Sequence, residues 1–160
     1  MKNVWLAALN TEVSVLKALI NAGIKGHEVR STTGGWCVII SIEKRAGEGK
    51  NALLSALSVG DIKFAVVTDS DVKIYDQEEV DRAFVFRVRP EEDVVILKGL
   101  RAKHIDPTVE AWKLPKGELP VPSKIGIDAT IPESIPLQRY QIAQPYGLDS
   151  AHIKDYFTPK

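Results

Sequence analysis

Short continuous apolar runs alternate along the chain with stretches in which apolar residues recur at helical spacing. Three runs rich in β-branched residues are typical of strands covered on both faces: residues 37–40, 64–67 and 94–97. The helical spacing predicts three helices, at residues 12–22, 51–59 and 77–87. This alternation predicts a single α/β domain with three layers, in which helices flank a mainly parallel or mixed sheet.

The stretch from residue 36 to residue 68 is the element around which we arrange the rest of the chain. It contains two of the apolar runs, with a glycine-containing loop and a helix between them, which is the pattern of a βαβ unit. Leu53, Leu54 and Leu57 fall on one face of that helix, and Gly60 ends it. We therefore expect this unit to lie at the centre of the sheet.

The residues before this unit predict a further strand and a helix. Residues 4–9 are apolar enough for a first strand, and Asn10 or Thr11 can cap the helix that follows. Gly23 closes that helix. Residues 24–33 are polar and turn-like, so they predict a loop.

The third helix has a start signal of its own. Asp76 and Glu79 form a pair that resembles a capping box. The spacing that follows predicts that Val80, Ala83 and Phe84 are the buried residues of this helix.

The chain becomes rich in proline after about residue 100. Prolines recur through residues 106–136, which predicts an ordered excursion without long regular elements. Residues 123–130 stand out there as a compact mixture of polar and apolar side chains, and residues 148–157 can form a short helix. We expect one domain over residues 1–160, with the regular α/β part at about 1–100 and the proline-rich segment and tail at about 101–160.

Composition narrows the functional classes. Lysine and arginine number 21 and aspartate and glutamate also 21, so charge does not favour nucleic acid or an anionic membrane as partner. Cys37 is the single cysteine, which excludes an internal disulfide and fits a reducing cytoplasm. No apolar run approaches the length of a membrane span. We expect a cytoplasmic protein.

The loop that opens the central helix is a candidate anion site. Gly47, Gly49 and Lys50 precede the helical spacing, and the first turn of a helix presents backbone N–H groups and a partial positive charge. The alternative is that the glycines only form the turn and Lys50 is solvated. A Walker loop is excluded, because Lys44 occupies the position of its first glycine and Asn51 that of its Ser or Thr.

Two aspartates follow the second strand of the central unit. Asp69 and Asp71 lie where open α/β sheets place functional loops and could hold a divalent cation. Aspartates more often cap turns, and no third carboxylate follows at calcium-loop spacing. Their role stays open, and we assign no metal ligand.

Four blocks of the sequence, taken in order, resemble the C-terminal domain of the UbiD-type decarboxylases, the family of 3-octaprenyl-4-hydroxybenzoate carboxy-lyase. They are residues 42–50, 66–76, 82–97 and 123–130, the last reading SKIGIDAT. The resemblance implies an enzyme that adds or removes carboxylate on aromatic or unsaturated acids. It also implies prenylated FMN, a divalent metal and potassium as cofactors of the complete enzyme.

The resemblance further implies that this chain is roughly the last third of such an enzyme. In the family, the catalytic residues and the metal ligands lie in a preceding flavin-binding domain, and nothing here matches them. We therefore assign no catalytic residue and expect no cofactor to stay on this chain alone. An excised domain and a separate subunit both fit. The implied partners are the flavin-binding domain or subunit and, as a homo-oligomer, further copies of the chain.

Family resemblance also nominates site residues. Lys50, with Gly49 beside it, matches a family lysine that reaches the flavin phosphate; Lys44 and Arg45 remain alternatives.

Leu97 and Leu100 correspond to a segment that contributes to family substrate pockets, although plain core packing is an alternative for each. Lys124 and Asp128 belong to the structural motif at 123–130. A buried ion pair or a turn cap are the roles open to them.

Three hypotheses follow. The first is that the chain is the C-terminal domain or subunit of a prenylated-FMN-dependent decarboxylase, contributing a phosphate contact, a wall of the substrate cleft and an oligomer interface. The first alternative is a non-catalytic oligomerisation or regulatory module of the same fold. The second is a free-standing phosphate-binding α/β domain.

Overall fold

The computed structural model describes residues 2–43, 45–101, 106, 108–109, 114–118 and 121–140. The helices in this part of the chain are α1 (Lys2–Asn21), α2 (Glu48–Leu57), α3 (Gln77–Arg87) and α4 (Pro90–Asp93). The strands are β1 (Gly26–Thr32), β2 (Cys37–Ile42), β3 (Phe64–Asp69), β4 (Val94–Leu97) and β5 (Lys124–Ala129). Single turns of 3-10 helix lie at Thr33–Gly35 and Leu137–Tyr140.

The strands form one mixed sheet in the order β1-β2-β3-β5-β4. The three central strands, β2, β3 and β5, are parallel, and the edge strands β1 and β4 each pair antiparallel with their neighbour. Helices α1 and α2 share a core with one face of the sheet, built around Leu19, Ile40 and Leu53. Helix α3 packs on the opposite face through Val80 and Ala83, against Ile39. This confirms a single three-layer α/β domain with a mixed sheet.

Several predicted elements are confirmed with small changes of boundary. Helix α3 and strand β4 have the predicted bounds, and β2 and β3 each extend two residues beyond the predicted runs. Helix α2 begins at Glu48, three residues before the predicted start, because Gly47 adopts a left-handed conformation (φ 73°) and ends the loop there. Gly23, with the same φ of 73°, closes α1 as predicted.

The N-terminal prediction was wrong in two places. Residues 4–9 continue α1 and form no strand, because the run Leu-Ala-Ala-Leu at 6–9 consists of strong helix formers without β-branching. Residues 24–33, predicted as a loop, contain β1. This strand is polar because it lies at the edge of the sheet, where Val29 is its fully buried side chain.

The remaining corrections concern β5 and two apolar side chains. No strand was predicted after residue 100, whereas β5 lies inside the sheet between β3 and β4. Leu54 and Phe84 are 48% and 45% exposed, because each falls at the flank of its helix, beside the narrow stripe that meets the sheet. The helix predicted at 148–157 lies outside the described residues.

Among the described residues, none of the helices has the length and hydropathy that crossing a membrane requires.

Candidate functional site at the carboxyl edge of the sheet

The N-terminal turn of α2 brings together the residues predicted to meet a phosphate. The backbone N–H of Arg45 donates to the Glu48 carboxylate at 2.9 Å, which tightens the loop before the helix. Lys50 follows in the first turn, exposed to solvent, and forms no ion pair with any described residue. Lys44 lies outside the described residues. The Lys50 ammonium is therefore available to a ligand or to another polypeptide.

Asp128, at the end of β5, faces the same turn of α2. Its Oδ1 accepts hydrogen bonds from the backbone N–H of Thr130 at 3.1 Å and from the Thr130 hydroxyl at 2.6 Å. Its carboxylate also lies so close to Gly49 that a side chain at that position would overlap it. Negative charge is favourable there because the amino end of a helix carries partial positive charge. The positive end of α2 is thus partly neutralised by Asp128, and Lys50 and Arg45 supply the remaining positive charge.

Lys124, at the start of β5, lies at the other end of α2. Its side chain is 1% exposed, and its ammonium donates to the carbonyl oxygens of Leu57 at 2.8 Å, Val59 at 2.9 Å and Gly60 at 3.4 Å. Burial lowers the pKa of the Lys124 ammonium, and the carboxylate of Asp61 opposes that shift.

Of the two roles left open by the sequence, a mutual ion pair does not occur. Lys124 and Asp128 are four positions apart on an extended strand, which corresponds to about 13 Å. Asp128 is a turn cap through Thr130, as one alternative had it. Lys124 instead caps the carboxyl end of α2, a role that the sequence did not suggest.

Leu97 and Leu100 do not join the residues around Lys50. Leu97 pairs in register with Lys124 and packs, half-buried, against the core shared with α1 and α2. The backbone N–H of Leu100 donates a hydrogen bond to the carbonyl oxygen of Pro122 at 3.2 Å. Both leucines therefore lie toward the far end of α2. Their role in a substrate cleft remains a prediction, and core packing is the contact that Leu97 makes.

A cavity of about 380 Å³ opens at the carboxyl edge of the sheet, beyond β3 and β5. Its lining consists of Arg45, Ala46, Asp69, Ser70, Asp71, Ile131, Pro132, Glu133 and Ile135. Open α/β sheets bind ligands at this edge. Arg45, one of the alternatives to Lys50, thus lines this cavity, whereas Lys50 does not.

The two aspartates of this cavity bind Arg87, a residue that the sequence pattern does not single out. The Arg87 guanidinium binds both carboxylate oxygens of Asp71, at 3.0 and 2.8 Å, and reaches Asp69 at 3.4 Å. Asp69 also accepts a hydrogen bond of 2.6 Å from the backbone N–H of Ile131. No group of three or more His, Cys, Asp or Glu side chains among the described residues is placed to hold a metal ion. The sequence places Arg87 in the last turn of a helix but does not indicate that its side chain reaches these two aspartates.

A second cluster that the sequence did not reveal lies at the opposite edge of the sheet. Asp106 is 2% exposed and accepts from the Lys63 ammonium and from the Thr108 hydroxyl, the latter at 2.7 Å. Lys63 precedes β3, so this cluster fastens part of the proline-rich segment to the sheet.

Comparison with known proteins bears on this arrangement. A family model described as the 3-octaprenyl-4-hydroxybenzoate carboxy-lyase C-terminal domain matches residues 4–129. The chain belongs to this family. It is 34% identical over 132 residues to the anhydromevalonate phosphate decarboxylase of Methanothermobacter thermautotrophicus, covering 79% of this chain and 30% of that protein. It is 29% identical over 143 residues to the gallate decarboxylase of Lactiplantibacillus plantarum, covering 82% of this chain and 29% of that protein.

Solved structures agree with this assignment. The UbiD-class enzyme HmfF from Pelotomaculum thermopropionicum, in complex with FMN, superposes with a TM-score of 0.76 at 32% identity, covering 96% of this chain and 34% of that one. An evolved dimeric form of the same enzyme is in complex with prFMN. This UbiD-family chain thus spans about a third of the length of the Methanothermobacter protein and of HmfF. The family resemblance noted from the four sequence blocks is confirmed.

Proposed function

We propose that this chain is the C-terminal domain or subunit of a prenylated-FMN-dependent decarboxylase that acts on aromatic or unsaturated carboxylic acids. It contributes a contact to the cofactor phosphate, part of the wall of the substrate cleft and an oligomer interface. The observation that carries the proposal is the exposed Lys50 in the first turn of α2, in a chain whose solved relative HmfF is in complex with FMN. We place the divalent metal and potassium on the flavin-binding part of the enzyme.

The ammonium of Lys50 is better placed to bind a phosphate than the backbone N–H groups at the amino end of α2. Asp128 and Glu48 already bring negative charge to the amino end of α2, so the N–H groups there are less favourable to a further anion. The side chain of Lys50 can extend away from Asp128 and offer its ammonium at a distance from that carboxylate. When bound, prenylated FMN supplies the electron-accepting chemistry of decarboxylation. The role of this chain is to bind and orient the cofactor.

An apolar row on the α3 face of the sheet supports the interface. Phe64, Ile125 and Ile96 are aligned across β3, β5 and β4, and Phe64 and Ile96 are 40% and 58% exposed. Side chains aligned across strands share one face of a sheet. The row therefore offers a continuous surface to a flavin-binding domain or to a second copy of the chain.

The same row favours the alternative of a non-catalytic oligomerisation module, which would use the interface and leave Lys50 without a ligand. The two functions differ in what Lys50 does. In the complete enzyme, Lys50→Ala should weaken FMN binding by roughly ten- to a hundredfold, the worth of one charge-assisted hydrogen bond. Lys17→Ala, which removes an exposed lysine from α1, is the matched control and should leave FMN binding unchanged.

Unaltered FMN affinity in Lys50→Ala would contradict the phosphate contact. The chain by itself should show no decarboxylation when supplied with prenylated FMN, because the catalytic carboxylates are expected in the flavin-binding part. Turnover by the purified chain alone would contradict that division of roles.

A further inference from the structure

Strand β5 runs antiparallel to α2 and carries a charged residue at each end of the helix. Lys124 reaches the carbonyl oxygen of Leu57 at the carboxyl end, and Asp128 lies against Gly49 at the amino end. The separations match: four residues of strand span about 13 Å, and eight residues of helix span about 12 Å. One strand thus places a charged side chain at each end of α2: Lys124 is hydrogen-bonded to the carboxyl end, and Asp128 lies against the amino end.

The signs of the two charges match the helix. A helix carries partial positive charge at its amino end and partial negative charge at its carboxyl end, so Asp128 and Lys124 each face the end that attracts them. Between them, Gly126 lets the helix approach closely, because a methyl group there would stand 3.2 Å from the side chains of Leu53 and Leu57. Sliding α2 along β5 would move one or the other end of the helix away from the charge that faces it.

We propose that Lys124 and Asp128 are positioning residues, which fix α2 along its axis and so set the place of the Lys50 ammonium. Lys50 follows Gly49 directly, so the turn that Asp128 contacts is the turn that presents Lys50. This inference rests on the proposed phosphate contact of Lys50. It assigns to the Lys-x-Gly-x-Asp part of the 123–130 motif a role in the cofactor site, at a distance from any ligand.

The position of the turn matters because a charge-assisted hydrogen bond is short and depends on geometry. If the turn is displaced, the distance and angle between the lysine ammonium and the phosphate become less favourable. Misplacement by about 1 Å is enough to reduce activity strongly at many sites. The inference therefore predicts energetic coupling between Lys50 and each of the two positioning residues.

The experiment measures FMN affinity and the free energy of unfolding in the complete enzyme. Lys124→Met removes the ammonium and keeps the length of the side chain. Asp128→Asn removes the charge and leaves an oxygen that accepts from Thr130. Each is made alone and together with Lys50→Ala. Lys63→Met is the matched control, because Lys63 is a part-buried, ion-paired lysine whose ammonium binds Asp106 and Thr108.

We expect Lys124→Met and Asp128→Asn each to weaken FMN binding by roughly threefold or more in the parent. In the Lys50→Ala background they should have no further effect on FMN binding, although their effect on unfolding should be the same in both backgrounds. Lys63→Met should lower stability without changing FMN affinity. This pattern separates positioning from a merely structural role, which would weaken FMN binding equally in both backgrounds.

The outcomes distinguish the two proposals. If Lys50→Ala leaves FMN affinity unchanged, the phosphate contact fails and the inference fails with it. If Lys50→Ala weakens FMN binding but the other two variants do not, or do so equally in both backgrounds, the inference alone is overturned. If Lys124→Met does not fold, Asp128→Asn decides the question, because it preserves the hydrogen bonds around Thr130.

Discussion

The ammonium of Lys124 donates a 2.8 Å hydrogen bond to the carbonyl oxygen of Leu57, and with Val59 and Gly60 it completes a cap on α2 that is closed to solvent. The last carbonyl groups of a helix have no partner within the helix. A buried cation is costly unless such groups surround it. The carbonyl oxygens therefore stabilise the buried ammonium of Lys124, and the ammonium supplies the hydrogen bonds that these carbonyl groups lack.

Lys124→Met should lower the free energy of unfolding by about 2 kcal/mol, because the buried carbonyl oxygens lose their donor while the burial cost of the charge is relieved. Urea unfolding of the parent and the variant measures the difference. Lys17→Met, which changes an exposed lysine on α1, should stay within about 0.5 kcal/mol of the parent. A Lys124→Met chain as stable as the parent would mean that burying the charge costs as much as its hydrogen bonds contribute.

Lys124 also shows why β5 was not predicted from the sequence. A lysine and an aspartate inside a six-residue run interrupt the apolar pattern of a buried strand. Their partners are the two ends of α2, some 70 residues earlier in the chain for Lys124. Sequence periodicity reports which side chains prefer burial, and it does not report which helix end will satisfy a buried charge.

The sequence is a better guide where the interacting residues are close together in the chain. The start of α3 was predicted because Asp76 accepts a hydrogen bond from the backbone N–H of Glu78, two residues away. Glu79 does not complete the capping box, since its carboxylate accepts from the backbone N–H of Lys73 instead. The grip of Arg87 on Asp71 spans 16 residues and depends on how α3 lies over the sheet, so it could not be predicted.

Gly126→Ala should destabilise the chain by about 1–3 kcal/mol. The added methyl group would stand 3.2 Å from three side-chain atoms of Leu53 and Leu57, so α2 would have to move away from β5 or the leucines would have to leave their rotamers. Thermal or urea unfolding measures the loss. Gly60→Ala is the matched control: nothing lies within 4 Å of the added methyl group, so stability should change by no more than about 0.5 kcal/mol.

If Gly126→Ala and Gly60→Ala cost the same, the close approach of α2 to β5 would not be the reason for the glycine.

Asp106 should make stability depend on pH in acid. Burial acts to raise the pKa of this carboxyl, but the hydrogen bonds from Thr108 and the ammonium of Lys63 outweigh burial and hold the pKa below its ordinary value. A carboxyl with a lowered folded-state pKa contributes stability above the unfolded-state pKa, near 3.9 for aspartate. That stability is lost as pH falls through the folded-state value.

The measurement compares the parent with Asp106→Asn by urea unfolding at pH 7 and at steps below pH 4. The parent should be the more stable chain at pH 7, and the difference should shrink as the pH falls. Lys63→Met removes one of the groups that lower the pKa and should reduce the dependence on pH. A difference that stays constant over this range would refute the role assigned to Asp106.

The apolar row across β3, β5 and β4 should cause the chain to self-associate. Ile96 is 58% exposed on the edge strand β4, next to Ile125 and in line with Phe64, which is 40% exposed. A lysine in the middle of a buried apolar contact leaves an unpaired charge there, so Ile96→Lys should weaken self-association by about tenfold or more in Kd. Sedimentation equilibrium over a range of concentrations measures the constant.

Ile20→Lys provides the control, because Ile20 is 68% exposed on α1, the helix on the opposite face of the sheet from the row. It should leave the association constant unchanged within about twofold, as expected of a surface substitution away from an interface. A parent chain that stays monomeric at high concentration would contradict the prediction outright. Equal weakening by Ile20→Lys and Ile96→Lys would show that the chain associates but that the row does not form the contact.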